Sequence, residues 1–302
     1  MRPLQRLRPY PGAKGRDAEE YLKRIDALRH GANTLISPFL GCGNVEARVP
    51  VEWFGYTIVN DIDDLITSFF LTLQNWAEFR NLLHMLQNTV ASKAMLDRSS
   101  ELLLNSGSSH AVRAWAWLVR GLLTHSKTPA DCPAPQLAVI AGSPGGNNPG
   151  RRIRQAAQIC RDWRDAVLER DWQITNMDAL ELMRDLAGKP HAKKYVWFLD
   201  PPYHPETCDP SLYKHGMTAE QSSRFLEVVA SLPGAVILCG YRHHDIDRLL
   251  DVGYRVDEFE AMAEGKGLRR EAIYWIEADT PRGQWAGVTQ GSLFEFHSKE
   301  IL

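Results

Sequence analysis

Residues 196–203 read VWFLDPPY. Four apolar or aromatic residues run straight into a carboxylate, and two prolines follow it. A short apolar run of this kind is a strand buried on both faces. Proline has no N–H to give to a sheet ladder, so the strand must stop at Asp200. A strand buried on both faces needs helices above and below its sheet, which points to an α/β architecture.

The rest of the chain supports that reading. DAEEYLKRIDALRH (17–30) has Tyr21, Ile25 and Leu28 on one helical face and Asp17 as its cap. NTLISPF (33–39) reads as a short buried strand, and GCGN (41–44) as a sharp turn. YTIVNDID (56–63) is a second strand that ends in acidic residues. Residues 64 to about 130 carry helical spacing. Trp115 and Trp117 fall there two positions apart, so one of them is expected in the core. Loops follow at 128–136 and 143–154, the second holding Arg151, Arg152 and Arg154. WQITNMDALELM (172–183) reads as strand, Asp178, helix. TAEQSSRFLEVVASL (218–232) opens on a capping box of Thr218 and Gln221. AVILCGY (235–241) is a further strand, and short strands are expected in YRVDEFEAM and EAIYWIEA.

Composition narrows the class. At 302 residues the chain has room for one large domain, or for a core domain with a substantial insertion. The net charge of −2 does not mark a nucleic-acid binder, which leaves local patches to decide. The five cysteines (Cys42, Cys132, Cys160, Cys208 and Cys239) show no CxxC spacing and no zinc pattern with the histidines. No metal is expected, and reduced thiols fit a cytoplasmic protein. MRPLQRLRPYPGAKGR (1–16) is basic without an apolar core, so no signal peptide is expected. No apolar run is long enough to span a membrane.

Three strand ends carry chemistry: FLGCG, NDID and DPPY. In open parallel sheets, ligands sit beyond the carboxyl ends of the strands. A glycine turn lets backbone approach a ligand closely, and an acid after the next strand can accept from both hydroxyls of a ribose. Asp178 can accept from an adenine amino group. Neither GxGxxG nor a P-loop occurs, so a cofactor with adenosine but no phosphate fits, and S-adenosylmethionine is the obvious one. Asp200 and the carbonyl of Pro201 offer acceptors with no competing N–H. That suits an amine conjugated to an aromatic ring, whose developing positive charge the carboxylate would stabilise. Tyr203 offers a flat face to a base flipped out of a duplex.

These stretches, taken together, resemble the Dam-type DNA adenine-N6 methyltransferases. YPGAKGR (10–16), SPFLGCGNVE (37–46), VNDIDDLITSFF (59–70), NMDALELM (176–183) and LDPPY (199–203) follow that family's order. So do LYKHGMTAEQSSRFLEVVASLPGAVILCGY (212–241) and RREAIYWI (269–276). The resemblance covers most of the chain apart from roughly 71–165, where the family places its target-recognition domain. It implies S-adenosylmethionine contacts from Tyr10, Lys14, Phe39, Gly41, Cys42, Gly43, Asp61 and Asp178. It also implies that Asp200, Pro201, Pro202 and Tyr203 hold the target adenine. Ala13 replaces a glycine frequent in the family, and 71–165 do not match its GATC-reading domain.

The expected protein is a Rossmann-like methyltransferase with a mainly parallel sheet. Residues 1–66 and 166–302 would form the catalytic domain, and 67–165 an inserted helical target-recognition subdomain. It would methylate adenine N6 in double-stranded DNA, with Arg151, Arg152 and Arg154 on the DNA. N4-cytosine methylation uses the same kind of amine, and a non-catalytic DNA-binding protein is the rival of another class. A role in restriction–modification, phage self-protection or regulation would look alike in the sequence.

Overall fold

The computed structural model describes residues 4–7, 14–105, 107–124, 137, 148–207, 214–263 and 267–285. Seven strands form its sheet: β1 (Thr34–Ser37), β2 (Tyr56–Asn60), β3 (Trp172–Thr175), β4 (Tyr195–Leu199), β5 (Ala235–Gly240), β6 (Arg255–Ala263) and β7 (Gly267–Ile276). Their spatial order is β3-β2-β1-β4-β5-β7-β6. The pairs from β3 across to β5 are parallel. β7 is antiparallel to both β5 and β6. This is the mainly parallel, Rossmann-like sheet that the sequence led us to expect.

Every residue of β1, β4 and β5 is buried, which explains their unbroken apolar runs. Helix α1 (Ala18–Leu28) covers one face, packing Tyr21 and Ile25 with Val196, Phe198 and Ile237. Helices α7 (Ala179–Ala187) and α8 (Ala219–Ser231) cover the other, against Trp197, Leu199, Val236 and Leu238. The Thr218–Gln221 capping box opens α8 as expected. Asp17 sits at the N-cap of α1, but its side chain makes no cap bond. The C-terminal strands are longer than expected and form a hairpin on the sheet edge.

Between β2 and β3 run α2 (Asp64–Gln74), α3 (Trp76–Gln87), α4 (Lys93–Leu103), α5 (His110–Leu123) and α6 (Pro149–Glu169). They share one core cluster with Leu40, Val59 and Trp172 from the sheet side. Helix α5 touches α2, α3, α4 and α6. It is therefore enclosed on all sides, and both Trp115 and Trp117 are buried where the two-residue spacing led us to expect only one. Trp115 Nε1 donates to Thr89 Oγ1 at 2.8 Å, and the Trp117 ring packs on Phe69.

From β1 the chain steps to β2 and β3 on one side, while β4 and β5 lie on the other. The carboxyl ends of β1 and β4 therefore flank the switch point of the sheet, where open α/β sheets take ligands. No helix among the described residues is long and apolar enough to cross a membrane.

Candidate active site

A cavity of about 430 Å³ opens at this switch point. Phe39, Gly41, Cys42, Gly43, Asp61, Asp178, Lys14, Asp200, Pro201 and Pro202 all line it. Residues far apart in the sequence are thus brought to one site. Tyr10 lies outside the described residues.

The glycine turn builds one wall. Gly41 and Gly43 have φ of +52° and +61°, in the left-handed region that side chains rarely adopt. A Cβ on Gly43 would come within 3.0 Å of the Trp172 ring. The Gly41 N–H donates to Asp61 Oδ2 at 2.8 Å, and the Asp63 N–H donates to Asp61 Oδ1 at 2.9 Å. Asp61 is therefore locked in place, with a lone pair left on each oxygen for a ligand hydroxyl. It does not cap α2. Asp63 does that, accepting from the Leu65 N–H and pairing with Lys214 at 2.8 Å.

Asn60 fastens three strand ends together, a role the sequence analysis did not assign it. Its Nδ2 donates to the carbonyls of Pro38 and Met177, and its Oδ1 accepts from the Met177 N–H and Thr175 Oγ1. An asparagine at the end of a buried strand is the one signal the sequence offers, since such a group must find partners. Asp178 caps α7 by accepting from the N–H groups of Leu180 and Glu181 through Oδ1, and it faces the cavity from that position.

Asp200 belongs to a buried polar network. Lys14 Nζ lies 3.2 Å from Asp200 Oδ1 and 3.1 Å from Glu271 Oε2, and it also donates to the Tyr203 hydroxyl. Tyr21 and Tyr203 donate to the same Glu271 oxygen. Burial draws the Lys14 pKa down, but Asp200, Tyr203, Tyr21 and Glu271 more than offset it and hold it well above the usual lysine range. Burial lifts Asp200 to about 6; Lys14 opposes this and Glu271 adds to it. At neutral pH the site therefore holds an ionised Asp200 beside a charged Lys14. One fifth of the Asp200 side chain remains accessible, toward the cavity.

Tyr203 is placed differently from its neighbours in the DPPY stretch. It is buried, meets the Tyr241 ring edge-on at 4.6 Å, and has the Lys14 ammonium over its ring. It does not line the cavity. Phe39 lines it and packs edge-on against Phe225.

Burial shifts two carboxylates of the cavity wall. Burial raises Asp61 to about 7 against the opposing N–H groups of Asp63 and Gly41. Burial also raises Glu46 to about 7, opposed by the Ser37 hydroxyl. Five carboxylates (Glu46, Asp61, Asp63, Asp178 and Asp200) thus line a space that also holds Lys14 and Lys214. The cavity disfavours phosphate and favours a ligand that carries positive charge.

No family profile and no curated protein sequence matches this chain. Solved structures that resemble it include the rRNA methyltransferase AviRa from Streptomyces viridochromogenes. That match has 16% sequence identity and a TM-score of 0.39, and covers 91% of this chain and 86% of that one.

The three arginines of the expected DNA contact divide. Arg151 and Arg154 are exposed in the first turns of α6, whereas Arg152 donates to the Leu122 carbonyl and ties α6 to the end of α5. Beyond DPPY, His204, Glu206 and His243 gather within ligand distance of one another. The Nδ1 atoms of His204 and His243 accept the N–H groups of Glu206 and Asp245. Each neutral ring then carries its proton on Nε2, where a metal would need a lone pair. These histidines close turns.

Proposed function

We propose that this chain is an S-adenosylmethionine-dependent methyltransferase that modifies the N6 amine of adenine in double-stranded DNA. The observation that carries this reading is the joining of an adenosine-type pocket to the DPPY carboxylate in one cavity. The donor set fits the cofactor: Asp61 and Asp178 offer acceptors to ribose and adenine, and the glycine turn lets the ligand lie against backbone. The surplus of carboxylates suits a cationic cofactor over a nucleotide with phosphates.

S-adenosylmethionine supplies a methyl group on a positively charged sulfur. The chain's own residues prepare the acceptor. Lys14 pairs with Asp200 Oδ1, which leaves Oδ2 for the target amine. That oxygen and the Pro201 carbonyl accept the two N–H bonds of an aromatic amine, and Pro201 has no N–H to compete. Both bonds draw the nitrogen lone pair out of conjugation and aim it. The Asp200 charge stabilises the positive charge that grows on nitrogen. Asp200 is far too weak a base to deprotonate the neutral amine, so it acts first by position and field; the methylated, positively charged nitrogen would then release one proton to it, leaving the neutral methylated amine and S-adenosylhomocysteine.

Arg151 and Arg154 support the DNA part of the proposal. Two cations in the first turns of α6 oppose the helix dipole, so their placement is unfavourable for the helix alone. Phosphate contact gives them a role. Purified protein incubated with methyl-labelled cofactor and plasmid DNA tests the reading. Digestion to nucleosides should show the label on N6-methyladenine. Label on cytosine N4 would keep the mechanism and change the base, and unlabelled DNA would reject the DNA assignment.

A further inference from the structure

We infer that Glu46 is the counter-ion for the α-ammonium group on the methionine half of the cofactor. This rests on the cofactor reading above. Glu46 opens a short 3-10 turn behind the glycine turn, is 3% exposed, and lines the cavity. The Ser37 hydroxyl, at the end of β1, donates to its Oε1 at 2.6 Å. Among the described residues no lysine or arginine forms an ion pair with it. Arg48, two positions on, instead donates to the carbonyls of Asn44 and Leu4. Its remaining support is the nearby N–H groups of Val45 and Glu46, all neutral donors, and the charge of Asp200 opposes them. A buried carboxylate held only by neutral donors is costly to ionise unless a cation reaches it.

Position selects which part of the ligand that is. The sheet order places Asp178 after β3, Asp61 after β2, Glu46 beside the end of β1 and Asp200 after β4. The adenosine acceptors are thus on one side of Glu46 and the acceptor carboxylate on the other. The methionine portion is what falls between. It offers a sulfonium and an ammonium. A carboxylate against the sulfonium would stabilise a charge that disappears during transfer, and so would slow the reaction. The ammonium keeps its charge throughout, so a counter-ion there adds affinity without opposing chemistry.

Calorimetric titration of wild type and Glu46→Gln with S-adenosylmethionine, S-adenosylhomocysteine and 5′-methylthioadenosine tests this. The amide keeps the Ser37 hydrogen bond and removes the charge. The variant should lose about tenfold or more in affinity for both ligands that carry the amino acid. Methylthioadenosine, which lacks it, should stay within about twofold. A loss on S-adenosylmethionine alone, an equal loss on all three, or no loss would overturn the inference. Wild type that binds none of the three would instead reject the cofactor reading itself.

A second measurement needs no variant. Asp61 acts on the ribose of both neutral-sulfur ligands and cancels from their affinity ratio, which leaves Glu46 and Asp200, the carboxylate whose charge raises it and which is largely ionised by about pH 7. S-adenosylhomocysteine should gain on methylthioadenosine by about tenfold between about pH 6 and about pH 8, as a group titrating near 7 ionises. A flat ratio would overturn the inference.

Discussion

Lys14 Nζ lies 3.1 Å from Glu271 Oε2, although the two residues are 257 positions apart. Glu271 also accepts from Tyr21 and Tyr203, so one carboxylate on β7 steadies both the cation beside Asp200 and the aromatic that ends DPPY. It does not line the cavity and acts through Lys14. Its negative charge raises the Asp200 pKa. Glu271→Gln should therefore lower that pKa and shift the acid limb of the pH–rate profile to lower pH. With Lys14 less well held, kcat should fall by up to ~100-fold. A profile that stays in place would separate Glu271 from Asp200.

On the proposed reading, Asp200→Ala removes the acceptor for the target amine and leaves the adenosine pocket intact. Transfer should drop by at least ~100- to 1,000-fold, the scale of removing one well-placed electrostatic partner. Cofactor affinity measured by titration should change little. Turnover near wild type would remove DPPY from the chemistry.

The raised carboxylates make both stability and binding depend on pH. Asp61 and Glu46 sit near 7 and Asp200 near 6 in the folded state, above the ordinary value of ~4 for such groups. Between about pH 4 and about pH 7 the folded chain holds more protons at these sites than the unfolded chain does. Their contribution to stability is therefore greatest at low pH and declines as pH rises through that window. Cofactor binding runs the other way, because the ionised carboxylates are the forms that hold hydroxyls and cations. The rise in melting temperature on adding S-adenosylmethionine should be larger at about pH 8 than at about pH 6, with about tenfold in affinity for each group that must ionise near 7. Equal shifts at both values would contradict the roles of Asp61 and Glu46.

Arg151 and Arg154 should behave as a pair. Replacing both with alanine should weaken duplex binding and flatten the slope of log K against log salt by ~0.9 for each phosphate that is no longer neutralised. Arg152→Ala should leave the slope unchanged and lower the melting temperature, because Arg152 holds the Leu122 carbonyl. A salt slope that only Arg152→Ala changes would reverse the assignment.

Much of the fold is legible in the sequence because its strands end abruptly. Asp200 before two prolines, the glycines at 41 and 43, and the acids after Asn60 each mark a chain reversal at the same edge of the sheet. Short-range signals of this kind locate strand ends and loops. They do not reveal which side chains from distant strands converge. Glu271 lies in plain view within RREAIYWI, yet its value depends on Lys14, which arrives from the other end of the chain. Glu46 is hidden for a related reason: its partner Ser37 is brought back to it only by the glycine turn. Tyr203 shows the converse. Its position next to DPP suggests a stacking surface, while the structure turns its ring toward Tyr241 and Lys14. The two tryptophans of α5 escape the rule of one buried face because helical spacing reports a single face, and α5 has neighbours on every side.

The most direct test of the central claim is to express the chain in a host without DNA methylases and read its genome by modification-sensitive sequencing. The account predicts N6-methyladenine confined to one short sequence motif, and absent when Asp200 is replaced by alanine. A genome without modified adenine, from cells holding soluble protein that binds S-adenosylmethionine, would contradict it.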